Sequence, residues 1–158
     1  MTPQKLHRTA AILETITWAL LLLGMTLKYS GTTDSVVPIT GSIHGFGFLC
    51  FVVMTTLIWV NNRWTPILGL TGLVVSVIPF AAWPFARWAE KQGHLEGGWR
   101  FRNTETETHP EGIFDWVLYQ TVRYPARSIV VVLVVVTTIF SLLLLLGPPV
   151  SVEDIINE

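Results

Sequence analysis

The sequence predicts an all-α protein: a polytopic membrane bundle of four transmembrane helices, with a surface amphipathic helix between helices three and four. Four long apolar segments predict it, and each approaches the ~20 residues that a helix needs to cross a bilayer. Hydrophobic residues make up 51% and charged residues 13% of the 158 residues, and the mean hydropathy is +0.53. This composition excludes an ordinary soluble domain. The segments span residues 9–27, 43–60, 65–86 and 128–146.

Charge and cysteine content exclude several classes of protein. The net charge is -1 and the basic residues are dispersed, whereas a nucleic-acid partner requires concentrated Lys and Arg. Cys50 is the single cysteine, so neither a disulfide nor a cysteine-based metal site can form within the chain. The sequence contains no Ser-His-Asp order, phosphate-binding glycine loop or zinc motif. We therefore expect a protein that is not an enzyme and binds no cofactor, metal or nucleic acid.

The first two helices are expected to form an antiparallel hairpin. Helix one should begin near Leu6 and end at Tyr29, where Gly31 can adopt the left-handed conformation that closes helices. Residues 32–40 are a polar turn, and the second helix should open at residues 41–45. After it, Thr65 is a suitable N-cap and Pro66 a suitable first residue for helix three.

Helix three is predicted to be the centre of packing. Its small residues let a neighbouring backbone approach closely, which is how helices associate in lipid. Pro79 removes a backbone hydrogen bond to residue 75, and Pro84 does the same further on, so the outer half of the helix should bend or partly unwind. The residues assigned to helix packing are Gly69, Gly72, Ser76 and Pro79.

The composition changes after residue 91, which divides the chain into three parts. Residues 1–91 form a three-helix membrane core, 92–127 a polar connection, and 128–158 the fourth transmembrane helix with an acidic tail. Within the connection, Thr108 and Glu111 read as a capping box with Pro110 at the first helical position. We expect an amphipathic helix there, lying on the membrane surface up to Tyr124.

The basic residues give conflicting indications of orientation. With four spans, Lys5, Arg8 and Arg63 share one side with the C-terminal tail, and the other seven basic residues lie opposite. The positive-inside rule then places the long connection in the cytoplasm and both termini outside. Lys5 and Arg8, in front of the first span, argue for the reverse.

Glu14 is the first candidate site residue, because it is the one acidic residue well inside an apolar segment. His7, Glu14 and Lys28 fall on one slowly drifting stripe of helix one. Counting depth from the membrane surface suggests hydroxyl partners for Glu14. Two interpretations stay open: a carboxyl that exchanges protons or holds a cationic ligand, and a neutral or paired residue that fixes helix packing. The suggested partners are Thr55, Thr56 and Thr71.

Lys28 and His44 complete the candidate proton or ligand site with Glu14. Lys28 and His44 could together bind an anionic headgroup or a quinone-like carbonyl. Alternatively, Lys28 extends to the headgroups, and His44 is satisfied by nearby backbone or water. We expect no metal at the run of Glu105, Glu107 and His109, which is an ordinary polar run.

Several motifs in the first 91 residues together resemble one family. They are Glu14 in helix one, Lys28-Tyr29 at its end, His44-Gly45 at the start of helix two, then Arg63-Trp64 and Pro79-Phe80. This pattern resembles the bacterial domain-of-unknown-function family numbered 3817, over about residues 6–91. Ala81 departs from it, since Gly usually follows the Pro-Phe pair. The resemblance implies a compact integral membrane protein of three helices without an assigned activity.

Two functional hypotheses remain. The first is a multi-pass plasma-membrane protein that acts as an accessory or assembly subunit, packed against a larger membrane complex or another copy of itself. The second is a proton-coupled small-molecule transporter that uses Glu14. The chain is partly similar to small multidrug resistance transporters, which have four helices and a membrane-embedded Glu in helix one. Those proteins are shorter and have tight loops, which the long connection does not match.

Overall fold

The computed structural model describes residues 2–102 and 110–146, and within these ranges the chain is helical with no strand. The described residues form six helices, and α1 to α4 coincide with the predicted membrane core. Their bounds are α1 Pro3–Tyr29, α2 Val36–Asn61, α3 Pro66–Val74, α4 Ala82–Lys91, α5 Ile113–Arg123 and α6 Pro125–Leu146.

Three of these helices, α1, α2 and α6, are long and apolar enough to cross a membrane by length and composition. They contain 27, 26 and 22 residues. At ~1.5 Å per residue, the length of each helix exceeds the ~30 Å thickness of the hydrocarbon core. The helix α6 is exposed along nearly all its length, and among its residues only Val136 is buried. These helices therefore present apolar surface suited to contact with a lipid bilayer.

The helices α1 and α2 form the predicted antiparallel hairpin. The Thr2 hydroxyl caps α1 by accepting a hydrogen bond from the Lys5 backbone N–H, and Gly31 adopts the left-handed conformation just after the helix, with φ 74°. The second helix starts at Val36, several residues earlier than expected, because Pro38 fits the first turn, where no backbone donor is needed. The predicted polar turn of residues 32–40 was therefore too long.

The expected third span is not one continuous helix. As predicted, α3 starts at Pro66 with Thr65 as its cap, the Thr65 hydroxyl accepting from the Leu68 N–H. The helix ends at Val74, and turns occupy residues 75–81 before α4 begins. Phe80 takes the left-handed conformation, with φ 64°. The prolines thus interrupt the helix completely, and the four-span count is not confirmed.

Residues 66–91 comprise α3, the turns after it and α4, and we call them the interrupted segment. Their contacts show that this segment runs from one end of the bundle towards its middle and then back to the same end. Gly69 faces Trp59 near the C-terminal end of α2, and the backbone carbonyl of Ser76 then reaches Trp18, past the middle of α1. The helix α4 leads back, because the Glu90 carboxylate accepts a hydrogen bond from the Gln4 side chain at 2.8 Å. Both ends of the segment therefore lie where α1 begins and α2 ends, which we call the N-terminal end of the bundle.

This return changes the predicted topology. We expected the N-terminus and the connection after residue 91 on opposite sides, but the structure places both at the N-terminal end of the bundle. The helix α6 then runs towards the opposite end, and Phe140 packs against Phe46 in the first half of α2, with ring centroids 6.2 Å apart. The charge count was misleading because it assumed that each apolar segment crosses the membrane once.

The polar residues that end α2 hold the connection in place. The Asn61 amide donates to the Gly98 carbonyl and its oxygen accepts from the Arg100 N–H. Asn62 and Trp64 both donate to the His94 carbonyl, at 2.9 and 2.8 Å. Asn61 and Asn62, which we call the asparagine pair, therefore fix a loop that lies more than thirty residues further along the chain.

Arg100 ties α5 to the end of α2. Its guanidinium donates to the Val60 carbonyl at 2.7 Å and to the Asp115 carboxylate at 2.6 Å. The hydrogen bond from Arg100 holds the pKa of Asp115 below its ordinary value. Charge-assisted bonds of this kind are about twice as strong as neutral ones.

The amphipathic helix begins later than predicted. It starts at Ile113, after Gly112 with φ 125°, so Pro110 is not its first residue, and Thr108 of the expected capping box lies outside the described residues. Glycine replaces the capping box because few other residues adopt that backbone conformation. Ile113 and Phe114 are exposed, as expected of a helix that rests on a membrane surface. The acidic tail also lies outside the described residues.

Candidate functional site

Glu14 lies in the interior of the bundle with 1% of its surface exposed. Its predicted hydroxyl partners on other helices were wrong, because the neighbouring hydroxyl comes from Thr17, one turn later on α1. Thr17 Oγ1 lies 3.0 Å from the Glu14 backbone carbonyl and 3.4 Å from Glu14 Oε2. Glu14 Oε1 has no hydrogen-bond partner among the described residues. One carboxylate oxygen is thus buried and available.

The hairpin brings His44 of α2 to the same place. His44 Nδ1 lies 3.1 Å from Thr17 Oγ1 and 3.9 Å from Glu14 Oε1. Gly47, one turn after His44, makes this approach possible, since a Cβ there would lie 3.2 Å from the Thr17 methyl group. Glu14 and Thr17, which are buried, and His44, which is partly buried, therefore form one polar cluster, which we call the Glu14 cluster.

Trp18 joins this cluster to the interrupted helix. Its indole packs on the His44 ring with centroids 4.3 Å apart, and its Nε1–H donates to the Ser76 carbonyl at 3.2 Å. That carbonyl lies in the turns after α3, where backbone acceptors are freed from helical pairing. An interrupted helix beside a buried ionisable group is the arrangement that many membrane ligand sites use.

The geometry suits movement of a proton within the cluster. The Thr17 hydroxyl has one hydrogen, so it can donate to only one of its neighbours at a time while accepting from His44. A side-chain rotation that closes the 3.9 Å separation would let Glu14 and His44 exchange a proton directly. The pair could then exist either as neutral carboxyl and imidazole or as carboxylate and imidazolium, and a cationic ligand would favour the ionised carboxylate.

Lys28 is not part of the Glu14 cluster. It is exposed in the last turn of α1, fourteen residues after Glu14, which corresponds to roughly 21 Å along the helix. His44 contacts Thr17 and Trp18 instead, so the suggested Lys28 and His44 pair is not formed. The structure brings Glu14 and His44 together in the bundle and leaves Lys28 exposed near the end of α1.

The hydroxyls once suggested as partners of Glu14 have other roles. Thr56 and Thr71 each donate to the carbonyl four residues earlier in their own helix. Thr55 is buried and has no partner among the described residues, and its methyl group packs against Gly72. Depth counting from Arg8 failed because α1 begins at Pro3, five residues earlier. Glu14 therefore lies roughly 16 Å from the start of the helix, level with the first half of α2.

The residues assigned to packing lie along the interrupted segment. Gly69 and Gly72 are buried in α3 and face the side chains of α2. Ser76 is fully buried, and its hydroxyl donates to the Leu73 carbonyl at 2.6 Å. Pro79 is exposed in the turns between α3 and α4.

His7 is a buried polar residue whose environment the sequence did not indicate. It has no exposed surface, and its ring is surrounded by those of Phe51, Trp64 and Phe85 at centroid distances of 5.8 to 6.1 Å. Neither ring nitrogen has a hydrogen-bond partner among the described residues. The buried face of α1 therefore carries both polar and small apolar residues: Pro3, His7, Ala11, Glu14, Thr17 and Gly24.

A separate cavity of about 430 Å³ opens at the N-terminal end of the bundle. It lies between the end of α2 and the loop held by the asparagine pair, away from the Glu14 cluster. Residues 2–102 and 110–146 contain no group of three or more His, Cys, Asp or Glu that could hold a metal ion. The cavity is lined by Asn61, Asn62, Arg63, Trp64, Thr65, Leu68, Gly93, His94, Glu96, Gly98 and Arg100.

The fold and the polar interior define a small helical integral membrane protein. The sequence profile of the Domain of unknown function (DUF3817) family matches residues 4–91, which are α1 to α4 almost residue for residue. The chain belongs to this family. The resemblance noted from the Lys28-Tyr29 and His44-Gly45 motifs is thereby confirmed, and α5 and α6 lie outside the matched region.

A curated protein of Streptomyces coelicolor, named "Putative membrane protein SCO5905", is similar to this chain. The two are 42% identical over 89 residues, which is 54% of this chain and 10% of that protein. The match therefore spans about a tenth of the relative's length. No solved structure matches the chain.

Proposed function

We propose that this protein is a non-catalytic subunit of the plasma membrane that packs against a larger membrane protein and assists its assembly or stability. The observation that carries the proposal is the length of the Streptomyces coelicolor relative. There, a segment similar to 54% of this chain is only 10% of the protein, so the segment belongs to a far longer chain. A segment that is covalently attached to a larger protein in one case can act as its separate subunit in another.

The internal packing of α1 to α4 supports this role. Two clusters of buried residues join these helices without α6: one is built around Ile58, Trp64 and Phe85, the other around Ala11 and Phe51. A segment with its own core can keep its structure whether it is part of a longer chain or separate. A larger membrane protein that packs against this chain within the bilayer would recognise its shape and its small residues rather than its charge.

Purification from native membranes tests the proposal. The full chain, extracted in a mild detergent, should retain one larger membrane protein at a fixed stoichiometry. The two proteins, once purified separately, should recombine in lipid nanodiscs, and a tag on the larger one should recover this chain. Recovery of only single copies or homo-oligomers, with no recombination, would contradict the subunit proposal.

The Glu14 cluster favours a second candidate, proton-coupled transport of a small cation. Within residues 2–102 and 110–146, Glu14 Oε1 is buried and has no hydrogen-bond partner. His44 is 3.9 Å away, and Trp18 links the cluster to the interrupted helix. A charged side chain within a membrane-spanning helix costs roughly 2.5 to 3.5 kcal/mol on insertion scales. Residues of this type therefore mark functional sites or are paired with other polar groups.

Proteoliposomes test the second candidate. With a lipophilic cation such as tetraphenylphosphonium and an imposed pH gradient, the wild-type protein should take up the cation, and Glu14→Gln should abolish uptake because an amide does not titrate. Glu90→Gln is the matched control, since Glu90 lies at the bundle end, where its side chain accepts a hydrogen bond from Gln4; it should transport normally. Equal uptake by Glu14→Gln and the wild type would rule out a proton-coupling role.

A further inference from the structure

Two arginines from different helices converge on one indole ring. Arg8 of α1 lies with its guanidinium carbon 5.7 Å from the centroid of Trp83, and Arg87 of α4 lies 5.5 Å from the same centroid. Each separation is within the ~6 Å of a cation–π contact. Both guanidiniums thus contact the same ring at the seam between α1 and α4, which we call the Trp83 site.

No acidic side chain neutralises these two cations in the described part of the chain. The ion pairs there join His44 to Glu14 and Arg100 to Asp115. The nearest acid along α4 is Glu90, and its Oε1 accepts a hydrogen bond from Gln4. Both arginines are exposed, so their N–H donors are free to bind an anion, and guanidiniums bind phosphate oxygens through paired hydrogen bonds.

The surroundings of the Trp83 site identify where such an anion would come from. Further along α1, Ile12, Ile16 and Leu20 follow Arg8 at steps of four residues, and all three are exposed. This line forms an apolar strip directly below the arginines, on a helix that is long and apolar enough to cross a membrane. A lipid has this combination of an anionic head and apolar chains, whereas free phosphate has only the first.

The Trp83 site lies at the N-terminal end of the bundle, which is also the end where most Lys and Arg residues are found. Because α3 and α4 return, nine of the ten Lys and Arg residues lie at or near the N-terminal end of the bundle, and Lys28 is the exception in the last turn of α1. Basic residues concentrate on the cytoplasmic side of membrane proteins, where anionic lipids are also enriched. Lys5 and Lys91 lie within one helical turn of Arg8 and Arg87.

We propose that Arg8, Trp83 and Arg87 bind the phosphate headgroup of an anionic phospholipid in the cytoplasmic leaflet, with an acyl chain along Ile12, Ile16 and Leu20. Trp83 orients both guanidiniums through cation–π contacts. The bound lipid neutralises the two neighbouring cations and fixes α4 against α1. The α1–α4 seam is therefore a lipid site as well as a packing interface.

Native mass spectrometry of the full chain tests the Trp83 site. The probe is phosphatidylglycerol, compared with phosphatidylcholine of the same acyl chains so that only the headgroup differs. The wild type should retain phosphatidylglycerol preferentially. Arg8→Gln with Arg87→Gln should reduce this preference about tenfold or more, because the charge-assisted hydrogen bonds to the phosphate are lost.

The controls separate this site from general attraction to the basic end. Arg123→Gln, an exposed arginine of the same end, and Lys28→Gln should each keep the preference. Both arginines changed to lysine should give an intermediate result, since charge remains but planar contact with the indole is lost. An unchanged preference in the double glutamine variant would overturn the proposal, as would displacement of the lipid by millimolar inorganic phosphate. Each single variant is measured as well, with its thermal midpoint, so that a folding defect is recognised.

Discussion

Gly69→Ala is expected to destabilise the protein by roughly 2 kcal/mol or more, within the range for overpacked interiors. A Cβ at this position would overlap the Trp59 indole. The ring cannot simply rotate away, since its Nε1–H donates to the Trp64 carbonyl at 3.0 Å. The thermal midpoint in one fixed detergent measures the effect.

A matched glycine and a compensating change complete this experiment. Gly41→Ala, also within a helix, meets only Leu21 at 3.9 Å, so its midpoint should equal or slightly exceed that of the wild type. Adding Trp59→Leu to Gly69→Ala should restore part of the loss, because space is released where the Cβ needs it. Equal stability of Gly69→Ala and Gly41→Ala would show that α3 does not pack closely on α2.

Arg100→Ala is expected to release α5 from the end of α2. The substitution removes the donors to Val60 and Asp115 together, a loss of roughly 2 kcal/mol that corresponds to about a 30-fold larger open population. Hydrogen–deuterium exchange of residues 113–123 measures this opening. Arg102→Ala, two residues away and exposed, is the control and should exchange as the wild type does.

Low pH should also release α5 from the end of α2 in the wild-type protein. The pKa of Asp115 is lowered from 3.8 by its bond with Arg100, so the pair stabilises docking of α5 above pH 3.8, and the contribution is lost as the pH falls through the lower, folded-state pKa. The protection factors of the α5 amides, which are exchange rates corrected for the base-catalysed intrinsic rate, should therefore be independent of pH between 5 and 7. In Asp115→Asn, exchange should already be raised at neutral pH. A wild-type α5 that opens near pH 6 would contradict this assignment.

Local signals in the sequence predicted much of the fold. Thr65 followed by Pro66 marks the start of α3 because a capping hydroxyl and a proline satisfy the first turn without long-range help. Pro79 and Pro84 indicated a disturbed helix for a similar local reason. The extent of the break was not predictable, since it depends on the left-handed Phe80 and on the bond from Trp18 to the Ser76 carbonyl, which is a tertiary contact.

The candidate site was predictable only in part. Glu14 stands out because a carboxyl within an apolar segment is costly. Its neighbour His44 lies thirty residues away, and their meeting depends on where α1 and α2 begin, which composition does not specify closely. Thr17 and Gly47 follow Glu14 and His44 by one turn each, a spacing that places them on the same helix faces. That spacing is the signal that would have identified them.

The return of α3 and α4 to the N-terminal end of the bundle is the central feature of this account, and single-cysteine labelling tests it most directly. In a Cys50→Ser background, cysteines at positions 2, 32 and 92 are treated in intact cells with a membrane-impermeant maleimide. Position 32 should react from outside, whereas positions 2 and 92 should react only after the cells are opened. Labelling of positions 2 and 92 from opposite sides of the membrane would contradict the account, because α3 and α4 would then cross the bilayer.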